Sequence, residues 1–249
     1  MLRACAILNA RYTRAQIAEA NSDSGPDTQR VQDALDLCDP GQIVVLRSDK
    51  SKDAFLSAPL VLPRGVKLFI DKGVTLYASR NPRDYDLNPV SCGSAGNDGV
   101  PRCKPFLFAY QAAYSGVVGY GTIDGQGGEP LAGSRRSWWD LLRRGERVSV
   151  PDLVSSYESQ GFMLSGVTLR SAAGYPASIF KTIGFIAAGL KIESPEDSAS
   201  IAGLLLSNSP GAEIGNIWIH VPSTAISIQG SILGSTSHVS IHDAHLFGG

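Results

Sequence analysis

Hydrophobic and polar positions change their rhythm about forty residues into the chain. Residues Asp27–Cys38 follow a helical period, with Val31, Leu35 and Cys38 on one face and Asp27 placed to cap the N-terminus. Asp39-Pro40-Gly41 then stops the helix. Beyond it, short β runs follow one another, separated by Gly, Pro, Ser, Asn and Asp, which is the pattern of strands. Gln42–Arg47, Val66–Asp71, Val74–Ala78, Phe106–Tyr110 and Gly116–Ile123 are the clearest.

The second half repeats itself. The stretch Gly161–Ser171 is echoed by Gly184–Ser194 at an offset of 23 residues. Asn216–His220 continues the series 27 residues after its counterpart, and His238–His242 follows after a further 22. One alternating strand per unit and a period in the low twenties predict a β-solenoid, in which each coil buries its inward side chains on the next. A β-sandwich would show turns at short spacing without such an echo. The reading is an all-β parallel β-helix over residues 41–249, preceded by an N-terminal segment and cap helix over 1–40 that covers the open edge of the first coil.

Composition narrows the function. Charged residues are 18% and the net charge is −1, which argues against a polybasic nucleic-acid binder. No apolar stretch is long enough for a membrane span. The run Ala4–Leu8 is too short for the apolar core of a signal peptide. The four cysteines, Cys5, Cys38, Cys92 and Cys103, have no zinc spacing. Their even number points to two disulfides and a secreted or periplasmic protein, with four reduced thiols as the alternative. Cys92 and Cys103 bracket a short polar loop, which leaves Cys5 and Cys38 to tie the N-terminal segment to the cap helix.

Gly119-Tyr120-Gly121-Thr122-Ile123-Asp124-Gly125-Gln126-Gly127-Gly128, with Ser137-Trp138-Trp139-Asp140-Leu141 after it and Gly65–Ser79 before it, resembles the polygalacturonases of glycoside hydrolase family 28, the bacterial members most closely. The resemblance covers almost the whole chain. It implies a right-handed parallel β-helix and inverting, metal-free hydrolysis of the α-1,4 bonds of polygalacturonate, the backbone of pectin, with no cofactor. Asp124 reads as structural, and the two tryptophans as a plug on the solenoid wall.

Inversion needs a carboxylic acid on one side of the bond and a carboxylate to activate water on the other, about 6.5–9.5 Å apart. The family supplies three aspartates, one in Asn-Thr-Asp-Gly and two in Gly-Asp-Asp. By resemblance the first slot falls on Ala202 and the other two on Ser223 and Thr224, with the 22-residue spacing from Ala202 to Thr224 retained. All three carboxylates are absent. The sequence reaches Gly248-Gly249 where the family's Gly-His-Gly would begin, and the family's Arg-x-Lys is not found. His245 is a weak stand-in for that histidine. His238, His242 and His245 lack the partners of a metal site. Glu196 and Asp197 alternate faces and read as solvated turn residues. Residues 151–249 hold only three basic side chains, Arg170, Lys181 and Lys191, against seven acidic ones, so Lys181 and Lys191 are the candidates for gripping a polyanion.

Four functions compete on this reading. They are an active hydrolase with displaced residues, a non-catalytic pectin-binding module, a gene fragment with a partial solenoid, and a pectate lyase, which would need clustered aspartates for Ca²⁺. A degenerate, catalytically inactive polygalacturonase-like protein is the expectation, with self-association through an uncapped C-terminal coil.

Overall fold

The computed structural model describes residues 3–19, 25–94, 102–143, 148–199, 202–230 and 235–248. Among them no helix is long and apolar enough to cross a membrane. The chain enters through β1 (Arg3–Asn9), α1 (Arg14–Glu19) and α2 (Thr28–Asp36), and then winds through short strands. These are β2 (Gln42–Arg47), β3 (Ala54–Ser57), β4 (Leu60–Val61), β5 (Lys67–Ile70), β6 (Thr75–Ala78), β7 (Leu107–Tyr110), β8 (Gly116–Gly119) and β9 (Thr122–Asp124). After α3 (Trp138–Arg143) come β10 (Val154–Tyr157), β11 (Met163–Ser165), β12 (Thr168–Arg170), β13 (Ala177–Phe180), β14 (Ile186–Ala188) and β15 (Lys191–Glu193). The last described strands are β16 (Ala202–Ser207), β17 (Glu213–His220), β18 (Thr224–Gln229) and β19 (Ser240–Phe247).

Every strand-to-strand ladder is parallel, and each strand pairs with its counterpart in neighbouring coils. One short sheet runs β4-β7-β10-β13-β16-β18, and two further rows merge into a long sheet through β17. The result is a right-handed parallel β-helix. Register explains why the sequence folds this way, because one inward position per strand stacks on the same position one coil away. Val44, Leu68, Val117, Leu164, Ala187 and Ile214 form one such column, all fully buried. Leu76, Ile123, Leu169, Ile192 and Ile219 form a second. Leu60, Leu107, Val154, Ala177 and Leu204 line the third wall. Every column is apolar, so stability rises with each added coil.

Three expectations are corrected. The run 116–123 is two strands on different walls, because the chain turns a corner at Gly119, where φ is +124° and a Cβ would strike the Ile70 carbonyl. The His238–His242 segment does not echo 216–220 at an offset of 22. Instead, Glu213 pairs Ser240 and His220 pairs Phe247, so the coil is 27 residues long and His238 lies in the turn before β19. That register follows from β17, whose eight residues span two walls without a break, and β19 copies it.

The third correction concerns the cap. Asp27 holds the expected N-cap position before α2, but its side chain accepts none of the free N–H groups of the first turn, its backbone being already helical (φ −92°, ψ −5°). Its buried carboxylate instead accepts the Leu56 N–H at 3.0 Å and pairs with Arg30 at 2.5 Å. The helix buries Val31, Ala34 and Leu35 on the first coil. Gln32 adds what a neighbouring strand would supply to β4: its Oε1 accepts the Val61 N–H at 2.9 Å and its Nε2 donates to the Val61 carbonyl at 3.0 Å. A strand shares the capping role, because β1 pairs with β2 along the edge of the long sheet.

Candidate functional site

The three family carboxylate slots fall at the start of the last two strands of the short sheet. Ala202 opens β16 and Thr224 opens β18, and the two are register partners on adjacent coils. Neighbouring strands lie about 4.8 Å apart, so these two positions are adjacent from coil to coil. Ala202 is buried and Thr224 exposed. The Ser223 hydroxyl is enclosed without a hydrogen-bond partner among the described residues. Gly248 sits directly over it, where a Cβ would collide with the Ser223 carbonyl. None of these three side chains ionises in the working range of a general acid or base.

The same row carries one carboxyl. Val154, Ala177 and Leu204 are register partners, and Asp152 and Tyr175 each lie two residues before their strand on adjacent coils, joined by a hydrogen bond. The Asp152 carboxylate accepts the Tyr175 N–H at 3.0 Å and the Ser178 hydroxyl at 2.7 Å. Burial pushes its pKa from 3.8 to about 6, and these two hydrogen bonds oppose the shift without cancelling it. Gly174 gives it room, since a Cβ there would lie 2.8 Å from Asp152 Oδ1. Asp152 precedes β10, which lies two strands from β16 in the short sheet. It is one of the seven acids of the second half and lies two residues before β10.

A raised carboxyl pKa means that the folded state favours the neutral form. Below about pH 3.8 Asp152 is protonated in both states and costs nothing; the cost grows through the interval to about 6 and is complete above it. Asp152→Asn keeps an acceptor for Tyr175 and a donor for Ser178. It should therefore raise stability at neutral pH by on the order of 2 kcal/mol and leave acid stability unchanged. Urea melts of both proteins across that pH range check this. Equal differences at acid and neutral pH would show that the carboxyl is not held in this way.

The other candidates are scattered. Lys181 follows β13 at the edge of the short sheet and bonds Tyr157 Oη and Glu158, both at 3.2 Å. Lys191 lies in β15 on the long sheet, 2.5 Å from Glu193 and with its Nζ 4.6 Å above the Trp218 ring. The two lysines therefore do not share a groove. His245 pairs with Trp218 in the long sheet, away from the row holding Ala202 and Thr224, and His242 contacts Asp243. Among the described residues no three His, Cys, Asp or Glu side chains gather as a metal would require. Glu196 is exposed, and Asp197 reaches Arg143 from a turn.

Asp124 is a structural tie. Its carboxylate holds Arg170 Nε at 3.1 Å and Nη2 at 2.8 Å, and accepts the Gln126 N–H at 2.9 Å. This ion pair floors a cleft of about 450 Å³ on the long sheet, also lined by Arg14, Tyr77 and Trp139. Trp138 and Trp139 are buried, and Trp139 Nε1 donates to the Ala172 carbonyl at 2.8 Å. Cys5 is bonded to Cys38 and Cys92 to Cys103.

A parallel β-helix of this coil geometry defines a class of solenoid with several solved relatives. The protein matches the polygalacturonase from Erwinia carotovora ssp. carotovora with a TM-score of 0.87 and 31% identity, over 98% of this chain and 62% of that one. The surface adhesin PfbA of Streptococcus pneumoniae shares the fold alone, at a TM-score of 0.57 and 15% identity, over 94% of this chain and 57% of that one. In sequence, a polygalacturonase of Ralstonia solanacearum is 35% identical over 228 residues, covering 88% of this chain and 43% of the relative. An endo-polygalacturonase of Pectobacterium carotovorum subsp. carotovorum is 37% identical over 212 residues, covering 84% and 52%. Residues 101–249 match the profile described as Glycosyl hydrolases family 28, and the chain belongs to that family. It spans about half the length of the curated relatives it matches.

Proposed function

We propose that this chain is a polygalacturonase-like protein directed to pectin in which hydrolysis of the α-1,4-galacturonosyl backbone has been lost. The observation that carries the reading is the register pair Ala202 and Thr224, with Ser223 beside it. Methyl and hydroxyl groups stand where the family resemblance puts three carboxylates, and inverting hydrolysis needs two ionisable groups on opposite sides of the bond. Polygalacturonase relatives support the substrate class. The two disulfides support an extracytoplasmic location. Affinity electrophoresis in pectin gels, run beside a reducing-end assay, tests this reading. Retardation without turnover is the expected result, and turnover, or no retardation, overturns it.

A non-catalytic pectin-binding role follows if retardation is seen, and the adjacent rings of Tyr110, Tyr157 and Phe180 on the short sheet favour it. Self-association is also expected. Ile228, Ile241, Leu246 and Phe247 expose apolar side chains on β18 and β19, each of which pairs with one strand only among the described residues. Light scattering over a wide concentration range should show mass rising with concentration. Ile241→Lys with Phe247→Lys should hold the protein monomeric, and a wild-type mass that does not change with concentration would remove the idea.

A further inference from the structure

The outer face of the short sheet carries a continuous row of aromatic rings running from coil to coil. Tyr110, Tyr157 and Phe180 are register partners at the strand ends, and Phe108 joins them from the same face. Ring centroids are 6.0 Å apart from Phe108 to Tyr110, 6.1 Å from Tyr110 to Tyr157 and 6.5 Å from Tyr157 to Phe180. Tyr110 is half exposed, and the other three rings are partly so.

The residue after each strand takes a left-handed backbone: Gln111 (φ 49°), Glu158 (φ 50°) and Lys181 (φ 45°). None is glycine, so the corner is held by its surroundings, and it sets these side chains in a second file beside the rings. Gln111 Nε2 and Lys181 Nζ both donate to Glu158 at 3.2 Å. The one cation and the one anion of the file thus neutralise each other. Ser207 and Gln229 continue the ring row as uncharged polar partners.

We propose that this row is a binding track for an extended pyranose chain whose carboxyls are masked as esters, that is, for methyl-esterified stretches of polygalacturonate. The inference rests on the pectin reading above and adds which form is preferred. A sugar ring presents a C–H face that stacks on an aromatic ring and equatorial hydroxyls that reach a polar file beside it. The track is narrow, three coils long and one ring wide except at β7, where Phe108 lies beside Tyr110. A protein partner would need a broader apolar centre. A de-esterified polyanion would need uncompensated cations, and Lys181 is already paired.

Isothermal titration with highly esterified and fully de-esterified polygalacturonate, at low and raised salt, tests the track. The protein should bind the esterified polymer at least ~3-fold more tightly, with little response to salt. Tyr110→Ala and Tyr157→Ala should each weaken that binding ~5–10-fold, while Tyr157→Phe stays within ~2-fold, and thermal melts confirm that each variant folds. Undiminished binding by both alanine variants would overturn the track and leave the pectin reading standing. Salt-sensitive binding of the de-esterified polymer alone would also overturn it. Binding of neither polymer by the wild-type chain would overturn both.

Discussion

Incubated with polygalacturonate, the protein is expected to release no reducing ends above a buffer blank. A general acid or base in position contributes about 10²–10⁴-fold to rate, and groups that act as one unit are lost together. The slots at Ala202, Ser223 and Thr224 hold nothing that can give or take a proton near neutrality. Asp152 is the one carboxyl in their row among the described residues, and both its oxygens are occupied by Tyr175 N–H and the Ser178 hydroxyl. A single carboxyl cannot both protonate the leaving oxygen and activate water from the opposite side. The expected deficit is therefore at least about 10⁴-fold against a family member with its carboxylates intact. A reducing-sugar assay with long incubation decides it. Turnover that vanishes in Asp152→Asn would relocate the acid to Asp152, and turnover that survives that change would place the chemistry elsewhere on the solenoid; either result ends the inactive reading.

Strands were legible as short apolar runs between turn residues, some alternating in burial, as in Lys67–Ile70, and some buried throughout, as in Ala54–Ser57. Gln42–Arg47 is read with its bounds intact, and Phe106–Tyr110 within a residue. Corners were less legible, since Gly116–Ile123 alternates smoothly through a bend that depends on the Ile70 carbonyl of the preceding coil. β1 was hidden for another reason. Its side chains are mostly exposed, so hydrogen bonding to β2 places it without an inward apolar pattern. The site shows the same division. The 22 residues from Ala202 to Thr224 make one coil, so spacing in sequence becomes adjacency in register. Lys181 and Lys191 are ten residues apart yet stand on different sheets, because the turn at 181–185 and strand β14 lie between them. The ring track was present in the repeat: Phe180 follows Tyr157 by the same 23 residues as the echo of 161–171 in 184–194. Only the three-dimensional register shows that Tyr110, 47 residues before Tyr157, belongs to the same row.

Breaking the Cys5–Cys38 bridge should loosen the N-terminal end of the solenoid and little else. The bridge closes a loop with a sequence separation of 33, for which chain entropy gives about 3–4 kcal/mol. The Cys92–Cys103 loop, with a separation of 11, gives about 2.5–3 kcal/mol. The longer bridge matters more for a second reason. β1 is largely exposed and gains little from burial, and α2 buries three side chains on the first coil, Val31, Ala34 and Leu35, with Thr28 and Gln32 adding hydrogen bonds to Ala58 and Val61. A terminal unit of a solenoid has one neighbour, so loss of the bridge is felt there and not along the coils. In the Cys5→Ser, Cys38→Ser variant, amide exchange in β1 and α2 should speed up by more than about a hundredfold. Strands β10 to β15 should be unchanged, since no residue of the bridge lies in their register columns. The Asp27 carboxylate, which ties the start of α2 to Leu56 of β3, should slow the opening without preventing it. Removing Asp27 together with the bridge should therefore cost more than the two changes separately, because each then acts alone to hold α2 on the first coil. Protection of β1 and α2 that survives loss of the bridge would show that packing of the cap on the first coil is sufficient by itself.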